Sequence, residues 1–159
     1  MKPINVGLLG IGTVGGGTFS VLTRNGEEIA RRAGRPIQVS VVADRNLERT
    51  RQLTKGSCRV TDDAFAVASD PDVDIVVELI GGDSVAKELV LQAIANGKHV
   101  VTANKALLAK HGNEIFAAAQ KQGVMVAFEA AVAGGIPIIK ALRDGLAGGN
   151  RVDAVSGIL

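Results

Sequence analysis

The stretch Ile4-Asn5-Val6-Gly7-Leu8-Leu9-Gly10-Ile11-Gly12-Thr13-Val14-Gly15 decides the fold. Its first half is a short, largely apolar run closing on glycine, the pattern of a strand buried on both faces. From Thr13 the apolar residues recur at helical intervals (Val14, Phe19, Val21, Leu22), and Ile29 reaches the same side beyond a turn dipeptide at Asn25-Gly26. A long or interrupted first helix is expected. Between strand and helix stands G-x-G-x-x-G. Gly10 permits a tight turn, Gly12 lets a diphosphate approach the backbone, and Gly15 lets the helix pack closely on the sheet. The N–H groups of Ile11, Thr13 and Val14 are then available to an anion at the helix N-terminus. A turn rich in glycine for packing alone is the competing explanation. The strand-turn-helix setting favours the dinucleotide cradle.

Outward from this stretch the chain alternates. Ile37–Ala43 is β-branched and strand-like, and Asn46 can cap a short helix through Leu53. Arg59-Val60-Thr61 suits a short edge strand, Asp62 a helix cap, and Asp70-Pro71-Asp72 a turn. Asp74–Ile80 is a further strand ending at Gly81-Gly82, followed by a helical segment Ser84–Asn96 with Val85, Leu89 and Ile94 inward and a stop at Gly97. His99–Ala103 reads as a strand, Asn104–Gln122 as a helix broken near Gly112, and Val124–Phe128 as another strand. Pro137 suits the first turn of a helix, Gly148-Gly149-Asn150 a release, and Val152–Leu159 a half-buried strand. Strands joined through helices imply a parallel sheet covered on both faces, a doubly wound α/β domain of Rossmann type.

Composition excludes several function classes. The chain has 159 residues, 47% hydrophobic and 21% charged, which suits one packed domain and not a disordered segment. Its formal charge of +2 lacks the basic excess of a nucleic-acid footprint, and its four aromatic residues, all Phe, make a poor base-stacking platform. The 20 glycines are roughly twice average usage and follow no repeat. Cys58 is the lone cysteine, unable to close an intramolecular disulfide or supply a zinc site. With no secretory signal and no long apolar span, the chain reads as cytoplasmic. Cys58 as the activated thiol of an aldehyde-oxidising dehydrogenase is the weaker reading, because it precedes a peripheral strand. His99 and His111 lack neighbours at metal-ligand spacing, and Asp70 and Asp72 are explained by their turn.

Asp44-Arg45 ends the second strand, where a carboxylate can bind the ribose hydroxyls of NAD and an arginine the 2′-phosphate of NADP. If Asp44 faces the ribose it repels that phosphate. If it turns away, Arg45 with Arg49 or Lys55 can hold NADP. NADP is slightly favoured, NAD is the alternative, and an Arg45 merely exposed after the strand is the plainest account.

Three further stretches are more particular: Glu78-Leu79-Ile80-Gly81-Gly82, Val101-Thr102-Ala103-Asn104-Lys105-Ala106-Leu107-Leu108-Ala109 and Phe128-Glu129-Ala130-Ala131-Val132-Ala133-Gly134-Gly135-Ile136-Pro137. With Gly7–Gly17 they closely resemble the homoserine dehydrogenase family. The resemblance implies NAD(P)-dependent interconversion of L-homoserine and L-aspartate 4-semialdehyde, in the route to threonine and methionine. It implies that residues 1–150 form the nucleotide-binding domain and that 151–159 begin the connection to a substrate and dimerisation domain outside this chain. A form without an N-terminal kinase fusion is expected, the complete protein a homodimer or larger, and this piece monomeric and inactive alone. By the same resemblance Gly81, Asn104 and Lys105 contact the cofactor, with Lys105 near the nicotinamide ribose and in proton handling, while the main acid-base lysine lies elsewhere. A lysine merely occupying the first helical turn is the alternative, electrostatically poor there. The resemblance also places a sodium ion at Glu129, Val132, Gly134 and Ile136, chiefly through carbonyl oxygens of the kind hard cations prefer. Glu129 capping the helix that opens at Pro137 is the alternative. A non-catalytic NAD(P)-binding redox sensor would share the fold and remains the rival function.

Overall fold

A computed structural model describes residues 1–146 of the chain. Six parallel strands, β1 (Ile4–Leu9), β2 (Ile37–Ala43), β3 (Arg59–Thr61), β4 (Ile75–Glu78), β5 (His99–Thr102) and β6 (Val126–Ala127), lie in the order β3-β2-β1-β4-β5-β6. The order reverses between β1 and β4, the switch point of a doubly wound sheet. The helices are α1 (Thr13–Arg24), α2 (Gly26–Ala33), α3 (Leu47–Thr54), α4 (Ala64–Ser69), α5 (Ser84–Ala95), α6 (Lys105–Gln122) and a short α7 (Ile138–Lys140).

Successive strand residues face opposite sides, and the core divides accordingly. Val41, Ala43 and Val76 pack with Leu89 and Ile94 of α5 and with Leu107 and Ile115 of α6. Val6, Leu8, Val42 and Val77 pack with Phe19 of α1. Gly7 is bare because a Cβ there would stand 2.6 Å from Cγ1 of Val67, so it lets α4 lie close to β1.

Most expected elements are present, including the interruption of the first helix at Asn25. Several details differ. Asp63, not Asp62, caps α4, its carboxylate accepting from Ala66 N–H at 2.9 Å. The helix α6 runs unbroken through Gly112, which is buried, since one glycine costs only about 1 kcal/mol and the face around it is packed. The strand β4 stops at Glu78, and β6 keeps only two of the five residues expected of it. Val85 is half exposed, and Pro137 caps α7 without entering it. The turn at 148–150 and the strand at 152–159 lie outside the described residues, as does the proposed boundary at 150.

Candidate functional site

The C-terminal ends of β1, β2 and β4 open on a cleft of about 970 Å³. The glycine-rich turn forms its floor, and each glycine there meets a different demand. Gly10 has φ +89°, and a Cβ on it would sit 2.9 Å from the Leu79 carbonyl oxygen. A Cβ on Gly15 would stand 2.0 Å from the Gly10 carbonyl oxygen, closer than any packing tolerates. Around Gly12 nothing lies within 4 Å of that position. Two of the glycines are therefore fixed by the protein's own backbone, and the third keeps an open hollow.

That hollow meets the head of α1. Side chains cap α3 (Asn46), α4 (Asp63) and α6 (Asn104); α1, like α2 and α5, has no side-chain cap, and its first turn contains no acid. The N–H groups of such a turn have no intrahelical acceptor and favour an anion.

Asp44, at the end of β2, turns back onto this turn. Its Oδ2 accepts from Ile11 N–H at 2.8 Å and its Oδ1 from Asn46 N–H at 2.9 Å. Ile11 N–H is thus held by the protein. Arg45 is exposed on the cleft wall, across from the loop 79–82. Arg49 follows in the first turn of α3, whereas Lys55 caps the far end of that helix, about 9 Å further along at 1.5 Å per residue. Arg49 is the base near Arg45; Lys55 is not. Phe65 and Asp63 complete the wall beneath Arg45.

Asn104 stands just beyond the other end of the cleft. Its Oδ1 accepts from Leu107 N–H at 3.1 Å and its Nδ2 donates to the Gly82 carbonyl, so both ends of the amide serve the protein. Lys105 opens α6, exposed and without an ion-pair partner among the described residues. Gly81, with φ +81°, lines the cleft. Cys58 stays away from it, half-buried, and burial pushes its thiol up. Its neighbours are Thr54 and Ser57.

Two participants escaped the sequence reading. Glu78 and Thr102 are both fully buried and are register partners across β4 and β5, with Thr102 Oγ1 donating to Glu78 Oε2 at 2.7 Å. An acid closing the apolar run Ile75-Val76-Val77 was the available signal; the pairing itself needs the register.

In the segment after β6, the Glu129 carboxylate accepts from Ile139 N–H at 2.9 Å and Lys140 N–H at 3.0 Å. The Glu129 and Ile136 carbonyls each accept one backbone N–H, while those of Val132 and Gly134 have no donor among the described residues. Ala133 and Gly134 both have positive φ, 56° and 58°. Among the described residues no cluster of three or more His, Cys, Asp or Glu could hold a metal, so a cation here would rest on carbonyl oxygens.

The strand order, the glycine turn at the switch point and the carboxylate at the end of β2 together define a dinucleotide-binding domain. A family model described as the NAD-binding domain of homoserine dehydrogenase matches residues 10–129. Homoserine dehydrogenases of Pseudomonas aeruginosa and Neisseria gonorrhoeae are 62% and 59% identical over the whole chain, which covers 36% of each. Among solved structures, a homoserine dehydrogenase from Thiobacillus denitrificans is 70% identical with a TM-score of 0.87, over 91% of this chain and 33% of that one. A hyperthermophilic archaeal homoserine dehydrogenase in complex with NADPH, 24% identical over 89% of this chain and 48% of that one, shares the fold with a TM-score of 0.73. The chain belongs to the homoserine dehydrogenase NAD-binding domain family. It spans about a third of the length of the curated relatives it matches.

Proposed function

We propose that this chain is the cofactor-binding part of an NAD(P)-dependent homoserine dehydrogenase, an oxidoreductase interconverting L-homoserine and L-aspartate 4-semialdehyde on the way to threonine and methionine. The observation that carries this reading is the open hollow at Gly12, at the uncapped head of α1, between two glycines fixed by backbone contacts. Hydride transfer is the chemistry a bound nicotinamide supplies; the protein's part is to bind, orient and keep water out. In this reading the N–H groups of Thr13, Val14 and Gly15 hold the diphosphate. Gly10 and Ile11 shape the turn, and Gly81, Asn104 and Lys105 stand at the nicotinamide end. The exposed ammonium of Lys105 attracts phosphate and can handle a proton near the reacting carbon.

NADP is the preferred nucleotide in this proposal. Asp44 uses one lone pair of each oxygen on Ile11 and Asn46, so its charge is partly spent on backbone donors, and Arg45 with Arg49 is left to meet a 2′-phosphate. We assign sodium to the carbonyls of Glu129, Val132, Gly134 and Ile136, with the Glu129 carboxylate holding the start of α7. Ordered cation density at these carbonyls, in crystals of a relative-length protein grown with sodium, is the expected finding. The complete protein is proposed to be a homodimer or larger, to act on small molecules and not on nucleic acid, and to work in the cytoplasm. No helix among the described residues is long and apolar enough to cross a membrane.

Calorimetric titration of the chain tests the nucleotide. NADPH should bind at least tenfold more tightly to the wild type than to Arg45→Ala, with NADH affinity unchanged, since a charge-assisted hydrogen bond is worth about 1.5–3 kcal/mol. An unchanged NADPH affinity removes Arg45 from the site. A polypeptide of the relatives' full length should reduce NADP when given homoserine. Binding without that reduction would favour a redox sensor.

A further inference from the structure

Glu78 is the only buried carboxylate among the described residues, and it has no cationic partner there. Its Oε1 accepts from the N–H groups of Ile80 (2.9 Å) and Gly81 (3.3 Å), and its Oε2 from Thr102 Oγ1 (2.7 Å). Thr102 Oγ1 in turn accepts from Asn104 N–H at 3.0 Å, and the Asn104 amide donates to the Gly82 carbonyl. The end of β4, the loop 79–82, the end of β5 and the start of α6 thereby form one closed circuit.

The circuit fixes the polarity of the loop. Successive backbone N–H groups in a glycine turn ordinarily make an anion nest. Here two of them point into the protein, onto Glu78. In a planar trans peptide the carbonyl opposes the N–H. The Leu79 and Ile80 carbonyls consequently point away from the buried carboxylate, and neither accepts a hydrogen bond among the described residues. The head of the turn 10–15 offers N–H donors; in the adjoining loop 79–82 the Leu79 carbonyl abuts Gly10 and the Gly82 carbonyl holds Asn104, which leaves the Ile80 carbonyl as an unused acceptor.

Building on the nucleotide reading above, we infer that Glu78 is a positioning residue that makes the loop 79–82 an acceptor for the ribose hydroxyls or carboxamide of the nicotinamide half. Phosphate is confined to the turn 10–15. Glu78 touches neither half itself. It acts by taking the N–H groups of Ile80 and Gly81 out of the cleft, and Thr102 keeps it oriented.

The test compares NADPH with 2′,5′-ADP, which lacks the reduced nicotinamide mononucleotide half, by calorimetry on the 159-residue chain. Glu78→Gln and Thr102→Val should each weaken NADPH about fivefold to tenfold, the scale of one net hydrogen bond. The affinity for 2′,5′-ADP should stay within about twofold, and Thr102→Ser, which keeps the hydroxyl, should restore NADPH binding. If Glu78→Gln does not accumulate in soluble form, the two Thr102 variants supply the same comparison. Equal weakening of both ligands, wild-type NADPH affinity in the variants, or a Thr102→Ser as weak as Thr102→Val overturns the inference. A wild type that binds neither ligand overturns the nucleotide reading and this inference with it.

Discussion

Adding one methyl group at Gly12 and at Gly15 should produce opposite phenotypes, although the positions are three residues apart. At Gly12 the φ of −61° is open to alanine and no atom lies within 4 Å of the new Cβ. Stability should therefore stay within about 0.5 kcal/mol of wild type. The methyl instead fills the hollow and holds a diphosphate off the N–H groups of the α1 head. Losing one charge-assisted hydrogen bond at about 1.5–3 kcal/mol predicts a roughly tenfold to hundredfold loss of NADPH affinity. At Gly15 the same methyl lands 2.0 Å from the Gly10 carbonyl oxygen, a backbone atom with no rotamer to yield. The helix must lift from the turn, at a cost at or above the usual 1–3 kcal/mol of overpacking. Thermal melts followed by circular dichroism read the stability, and titration calorimetry reads the affinity. A Gly12→Ala that binds NADPH like wild type, or a Gly15→Ala that melts at the wild-type temperature, would refute these steric roles.

Other substitutions probe separate parts of the argument. Asp44→Asn keeps only one acceptor oxygen for the two N–H groups of Ile11 and Asn46, so the domain should lose about 1–2 kcal/mol; an unchanged denaturation midpoint would dismiss the bridge. Gly112→Ala puts a Cβ 3.5 Å from the Phe116 ring, an ordinary contact inside α6, and should stabilise by up to about 1 kcal/mol; a lower melting temperature would mean that the face is overpacked. The Asp70 carboxyl is held below its usual range, first by Asp72 N–H and then by the Arg59 guanidinium. A depressed folded-state value means that its stabilisation is complete above the ordinary carboxylate range and lost as pH falls through the folded value. The stability gap between wild type and Asp70→Asn should accordingly be flat near neutrality and shrink in acid, and a gap that widens in acid would contradict the assignment.

The sheet was legible because its strands are buried on both faces. Runs such as Ile37–Ala43 have no other use for so many β-branched residues, and each meets a glycine or a cap residue at its end. Ends were less legible. Asp62 and Asp63 are chemically equivalent caps, and only the path of the backbone chooses between them. The glycine turn could be read residue by residue because its sterics are local. The Glu78–Thr102 circuit could not, since it joins residues far apart in sequence whose meeting depends on β4 lying beside β5 in a particular register. Asp44 presents a similar case: its sequence offered two orientations, and the structure shows it accepting from Ile11 N–H of the glycine turn while still lining the cleft.

The missing cap on α1 has a consequence for how long the folded domain lasts. A nucleotide phosphate would complete that helix as asparagine and aspartate complete α3, α4 and α6, and would couple folding to the supply of reduced or oxidised coenzyme. By mass action, ligand at a hundred times its dissociation constant adds about 2.7 kcal/mol. A cell whose coenzyme pool collapses would hold the same polypeptide in a looser state, more open to proteolysis, with no change in its sequence.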